Sequence, residues 1–478
     1  MNAIPETIPA ACRRGASMSR FGYYFSVFAP IVFMTAGVLV RLMFPWRFDY
    51  TPAIVIVVVL SQAGILGSVV WSAFSLYGAL RFGRPRDLRP GPDWRWDPDT
   101  LLIVAYVSRG DQPIALRDSM RVTLAVLRDY GVRGVLEAVT DIAVAPEHRL
   151  DASDDELIYE LVPPEYQTPK GARFKARALH YLLERRTARL AGAEDLGNIW
   201  VLHLDEESTL TPEALVGIRD FVARYDVRST PGAIGQGEIL YNGGPYGRNP
   251  LVETVDAVRT GDDLGRFRTQ YAVLHRPIFG MHGSFVLVPA KIERLITWDG
   301  GGVSSITEDA WFALSAMDRG VRFDWVEGYI REQSPFTLMD LLQQRRRWFC
   351  GLSAVASDES LRRSTRRMLR FCLVTWALGS VSVIFGLIAA IGFGTNAFPA
   401  AVMLNMAICG GAAMSVYTLG AYRNVTEAGL PWPRRLVIVG LTAASVVVLW
   451  PPIVEGLGVL YALWKPMTSF HIVRKESG

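Results

Sequence analysis

Three stretches of this chain carry no charged side chain: Phe21 to Val40, Thr51 to Leu80 and Phe371 to Tyr422. A helix needs about 20 apolar residues to cross a bilayer. The first two stretches therefore read as one span each. The third has room for two helices joined by a turn at "GTNAFP". Leu436 to Trp464 is apolar apart from Glu455 and is broken by Pro451–Pro452, so it is either one long kinked span or two short ones. The basic tail "HIVRKESG" favours an even number, six spans in all. A carboxylate in such a tract is costly unless it is paired or lies at the headgroup level, and Glu455 fits either case. "RFGRPRDLRP" follows the second stretch, and Arg423, Arg434 and Arg435 follow the third. Arginine marks the cytoplasmic side of spans. That places both termini and the long middle region inside.

The middle region has a different pattern. "LLIVAYVS" (101–108), "GVLEAVTDIAV" (134–144) and "NIWVLHLD" (198–205) read as buried strands. Between and after them, "IALRDSMRVTLAVLRDYG", "ARFKARALHYLLERR" and "TPEALVGIRDFVARY" have helical spacing. Strands alternating with helices predict an α/β domain with a mostly parallel, Rossmann-like sheet. Ligands of such sheets bind beyond the carboxyl ends of the strands. The expected organisation is 1–80 with two membrane helices, 81–335 as a cytoplasmic α/β domain, 336–367 as amphipathic interface helices, and 368–478 as a second membrane region with a short tail.

Composition narrows the function classes. The net charge of +4 gives no support for binding nucleic acid. The four cysteines, at 12, 350, 372 and 409, have no metal-ligand spacing, and two lie in apolar tracts, so neither a zinc site nor a disulfide framework is indicated.

The candidate chemistry begins at "WVLHLDEEST", where a buried-looking strand runs into Asp205, Glu206 and Glu207. Three adjacent acids repel unless a positive partner sits among them. Asp205 and Glu207 share a side if strand geometry continues. Hard oxygen ligands at that spacing suit Mg²⁺ or Mn²⁺, with open positions left for phosphate oxygens. Read alone, the triplet is equally an acidic helix N-terminus. Asp141 ends an earlier strand and so lies at the same sheet edge. Glu308 and Asp309, in "SSITEDAWFALSAMDRG", precede a helical pattern. Gln344, Arg345, Arg346, Arg347 and Trp348 follow another, in "LMDLLQQRRRWFCGLSAV". That last segment is also a basic amphipathic helix suited to a membrane surface. Arginine grips phosphate oxygens in pairs, and an indole offers a flat face to a sugar. Lys175 and Arg177 in "FKARAL" are within reach of a phosphate. Arg109 and Asp111 follow the first strand, and His282 in "GMHGSF" is a candidate for acceptor or metal contact. His203, on the strand itself, reads as a core residue.

In this order and between membrane tracts, the acid pair, "ITEDAWFA" and "QQRRRWFCG" resemble membrane-bound family-2 glycosyltransferases. With "VSRGD", "AVTD", "LHLDEES" and "HGSFVLV", the likeness is nearest to egghead-type β-1,4-mannosyltransferases and spans roughly 100–355. The resemblance implies a GT-A fold, a nucleotide-sugar donor and inversion at the anomeric carbon. It implies donor contacts from Asp141, Asp205, Gln344 and Arg347; Arg109, Lys175 and Arg346 are further candidates for the donor, by their positions in the sequence. Asp205 and Glu207 would hold Mg²⁺ or Mn²⁺ on the diphosphate. Asp309 would be the general base. Trp348, Glu308 and His282 would meet the acceptor. The implied donor is GDP-mannose, with a UDP-sugar as alternative; the implied acceptor is a lipid or glycolipid, reached among membrane lipids at the cytoplasmic face. A processive polysaccharide synthase shares every motif. A nucleotide-sugar-binding transporter is the rival from another class.

Overall fold

The computed structural model describes residues 18–43, 51–62, 65–86, 88–153, 155–191, 198–225, 232–244, 247, 249–393 and 400–467. The expected turn at 394–399 and the basic tail at 471–478 lie outside the described residues.

The middle region folds around a seven-stranded sheet in the order β3-β2-β1-β4-β6-β5-β7. Its strands are β1 (Leu101–Ser108), β2 (Gly134–Thr140), β3 (Leu157–Leu161), β4 (Ile199–Asp205), β5 (Ala233–Leu240), β6 (Val286–Pro289) and β7 (Arg322–Arg331). β6 runs against both neighbours, while the other pairings are parallel. β1 is buried along nearly its whole length because its uninterrupted apolar run has helices on both faces. These include α4 (Pro113–Asp129), α5 (Phe174–Arg189) and α6 (Pro212–Arg224). α6 starts where the sequence signals it: Pro212 occupies its first turn, and Thr211 Oγ1 accepts a hydrogen bond from Ala214 N at 3.1 Å.

Parallel register brings the ends of β1, β2 and β4 to one edge. Val107 lies beside Asp205, and Ser108 beside Thr140. Asp141 and Asp205, distant in sequence, thus emerge together. His203 is a core residue, as expected; it faces Glu293 at 2.9 Å, and Glu293 in turn pairs with buried Arg186.

Among the described residues, three helices are long and apolar enough to cross a membrane, over Arg20–Leu42, Arg363–Ile388 and Met403–Glu427. They belong to α1 (Arg20–Leu42), α12 (Arg363–Phe393) and α13 (Ala400–Glu427). The chain has the helices of a membrane protein. α14 (Trp432–Val447) and α15 (Trp450–Trp464) meet at 59° and together make a fourth candidate. The bend falls at Leu449, whose φ is 62°, and Pro451–Pro452 then sit in the first turn of α15. A proline there loses no intrahelical hydrogen bond, so the pair starts a helix.

The uncharged run from Thr51 to Leu80 differs from expectation. It forms two helices, α2 (Pro52–Gln62) and α3 (Ile65–Phe82). The second packs on the middle region at Gly78, where a Cβ would stand 2.0 Å from Gly265 O. A still closer contact joins α7 (Pro250–Asp262) to α13. A Cβ at Gly420 would stand 1.9 Å from Ala257 O, and one at Gly261 2.0 Å from Val416 O. Glycine is needed at both positions for the backbones to come this near. Polar bonds seal the joint. Arg423 grips Glu238 at 2.9 and 3.0 Å, and Asn424 Oδ1 accepts from Tyr241 N at 3.1 Å.

Gly420→Val should therefore force α13 off α7 and cost about 1–3 kcal/mol or more. Gly440→Ala, with open space around its Cβ, should be neutral or gain about 0.5–1 kcal/mol. Thermal melting of the two detergent-solubilised variants checks this; equal melting points would contradict the tight crossing.

Candidate active site

One cavity of about 1270 Å³ begins at the carboxyl edge of the sheet. Asp205, Glu207, Lys175, Glu308 and Asp309 line one end. The other end is walled by Met34 of α1, Val383 of α12 and Met406 of α13.

β4 ends at Asp205, and the chain then turns, with Ser208 N donating to Asp205 O at 2.9 Å. The expected continuation of strand geometry through Glu207 is absent. The turn nonetheless leaves all three acids on the cavity wall. Their repulsion is relieved in two ways. Burial and the adjacent Glu207 push the Glu206 carboxyl up to about 8, so it holds its proton at neutral pH beside Ser108 Oγ and Gln112 Nε2. Asp205 pairs with the Lys175 ammonium, which also lies 3.6 Å from Glu308 Oε1 and 3.3 Å from Gly283 O. Burial alone would lower the Lys175 pKa. The Asp205 and Glu308 carboxylates outweigh it and hold the pKa above its usual range. Phe174, at φ 54°, is the strained residue from which α5 launches this lysine.

Glu308 and Asp309 open α10 (Glu308–Asp318), and Asp309 Oδ1 accepts from Ala310 N at 2.7 Å. Burial raises both carboxyls above their ordinary range, against the pull of Lys175. Gly283 leaves room for the cluster: a Cβ there would stand 3.1 Å from Lys175 Nζ and 3.3 Å from Asp309 Oδ2.

The third wall is α11 (Leu338–Val355). Gln344, Arg345, Arg347 and Trp348 face the cavity. Arg347 is partly buried, and desolvation lowers its pKa; Glu308, Asp309 and Asp205 act to restore the charge. Arg346 is not brought to the site. It donates to Lys465 O at 2.9 and 2.6 Å and lies 4.2 Å from the Tyr461 ring, because consecutive helical residues point in different directions. The expected donor contact for Arg346 is thus replaced by a clamp on the end of α15. Glu455 is the paired case: its Oε1 accepts from Arg345 Nε at 2.6 Å.

The remaining candidates sit at the rim or on the wall. Asp141 accepts from Arg177 at 2.6 Å, so Arg177 is engaged with an acid. Arg109 is exposed at the rim, 4.0 Å from Asp111. His282 lies 2.6 Å from Asp263 and stacks on Phe267 at 4.4 Å. Sequence reasoning missed Asp263, Arg259, Gln236, Ser284 and Glu332. Gln236 holds the His282–Phe285 loop through His282 N at 2.9 Å and Ser284 O at 2.9 Å. Ser284 lies within the "HGSFVLV" stretch but was not singled out there; Gln236 and Glu332 have partners far away in sequence, which leaves no signal in a single chain.

No group of three or more His, Cys, Asp or Glu side chains able to hold a metal occurs among the described residues. Asp205 and Glu207 still fit a divalent ion. They are hard oxygen donors, Asp205 already carries a cationic partner, and magnesium is commonly held by one or two carboxylates plus substrate phosphates.

Acids at the carboxyl edge of a mostly parallel sheet, a carboxyl pair opening a helix and an Arg–Trp helix line one cavity of a GT-A-like glycosyltransferase fold. The chain belongs to glycosyl transferase family group 2, whose model matches residues 200–458. It is 31% identical over 387 residues to "Beta-1,4-mannosyltransferase egh" of Drosophila melanogaster, covering 79% of this chain and 78% of that one. It is 30% identical over 373 residues to "Beta-1,4-mannosyltransferase bre-3" of Caenorhabditis elegans, covering 77% of each. A solved mannosyltransferase from Pyrobaculum calidifontis is a distant structural neighbour, with TM-score 0.41 and 14% identity over 82% of this chain and 99% of that one. The protein is a glycosyltransferase of hexosyl type.

Lys175→Met should leave the acid cluster uncompensated. Its carboxyls would then take up protons on folding, so the variant should be destabilised at pH 8 and recover as pH falls toward 5. Removing one partner of a fully buried pair costs about 3–5 kcal/mol, and the loss should be smaller for this partly buried pair. Melting curves at the two pH values without divalent ions check this; a pH dependence equal to that of the parent would refute the compensating role.

Proposed function

We propose that the protein transfers mannose from GDP-mannose, with inversion, onto a lipid-linked acceptor at the cytoplasmic face of a membrane. The observation that carries this reading is the single cavity joining the acid cluster to the apolar walls of α1, α12 and α13. An amphipathic acceptor fits such a cavity, with its sugar at the carboxylates and its hydrocarbon among the helices. The mannosyl and β-linked assignments are supported by the relatives' names.

The acceptor hydroxyl attacks the anomeric carbon as the bond to the diphosphate breaks. Asp309 takes the hydroxyl proton, and burial beside Glu308 gives its carboxylate the basicity to do so. Negative charge gathers on the leaving diphosphate, where Arg347 and Lys175 stabilise it. Asp205 and Glu207 would hold a divalent ion, which would add Lewis-acid stabilisation to the same group. Asp141 and Arg109 flank the nucleotide, Gln344 reaches the donor, and Trp348 and His282 border the acceptor sugar.

The test is a donor screen with purified protein, lipid extract and Mg²⁺ or Mn²⁺, read by mass spectrometry of the lipid. One mannose should be added from GDP-mannose; a polymer, or turnover of another sugar alone, would overturn the reading. Asp309→Asn should lower transfer about 10²–10⁴-fold with nucleotide binding kept. Because the base must be ionised and its pKa is raised, kcat/KM should climb with pH along an acid limb above the ordinary carboxylate value of about 4. A limb at or below that value would exclude this base.

A further inference from the structure

Arg345 is 1% exposed and sits between the catalytic region and a membrane helix. Its Nε donates to Glu455 on α15 at 2.6 Å, and one terminal nitrogen donates to Asp256 on α7 at 3.2 Å. The other donates to Gln344 Oε1 at 2.7 Å, and the guanidinium lies 4.4 Å from the Trp348 ring. A guanidinium can only donate, so it must hold the oxygen of the Gln344 amide. Gln344, held in this way, also lines the cavity. The same planar group supports the indole by cation–π contact.

α15 is shaped for this pairing. At Gly458 a Cβ would stand 2.5 Å from Arg345 Cβ, so only glycine lets the helix come this close. Asp256 also lies 3.7 Å from Arg259, whose guanidinium is 5.1 Å from the Trp348 ring. Two acids thus balance two arginines around one indole, and of these Asp256 and Arg345 are fully buried.

We infer that Arg345, anchored by Glu455 of α15, is a positioning residue that fixes Trp348 for the acceptor sugar. The membrane helix is then part of the acceptor site without touching the acceptor. This rests on the acceptor role given to Trp348 above.

A double-mutant cycle in the full-length protein tests it. Trp348→Ala should raise the acceptor KM about tenfold. Glu455→Ala should raise it by a similar factor, with GDP affinity changed less than about twofold. The double variant should be no worse than the poorer single one, because both remove the same platform. If the two effects multiply, or Glu455→Ala leaves the acceptor KM unchanged, the positioning role is overturned. If Trp348→Ala itself leaves KM unchanged, the acceptor role of Trp348 falls, and the inference with it. Should Glu455→Ala not fold, Glu455→Gln serves. It keeps the acceptor oxygen at Arg345 Nε and removes only the charge, so its KM should lie between those of the parent and Trp348→Ala; a parental KM for this variant would overturn the inference.

Discussion

Packing carboxylates tightly at the edge of a sheet is the constraint around which this molecule is built. Asp205, Glu207, Glu308 and Asp309 line one end of one cavity, and like charges in a desolvated space repel strongly. The fold answers with a lysine on Asp205, an arginine from α11, and a glutamate that keeps its proton. Each answer comes from a different element, so the acid cluster is stable only when α5, α11 and the turn after β4 are all in place. Assembly of the site and assembly of the domain are one event.

The second constraint is attachment. Glycines at 261 and 420 bring a catalytic-domain helix and a membrane helix almost to backbone contact, and Arg423 secures the joint with buried Glu238. Arg345 and Glu455 repeat the device on α15. Buried charge pairs add little net stability over apolar packing, but a lone buried partner is costly. Such pairs therefore select one docking arrangement over others.

Much of this was legible in the sequence. β1, β4, α5 and α6 follow the apolar patterning closely, since each buries an uninterrupted run or a clear helical stripe. The acids and α11 were marked by dense local motifs. Three features were not legible. The uncharged run from Thr51 to Leu80 has no internal breaker strong enough to announce two helices. Arg346 was indistinguishable from its neighbours until helical geometry gave each arginine its own direction. Arg345 found its acid 110 residues onward, on a membrane helix, and no local pattern reports a partner at that separation.

The glycine crossing of α7 and α13 also determines where work can be done. With α7 and α13 joined backbone to backbone, the carboxylates stand at one set distance from the membrane helix. On the acceptor reading proposed above, the protein would act as a gauge: a headgroup whose free hydroxyl stood taller or shorter would miss the base, however well its sugar was recognised.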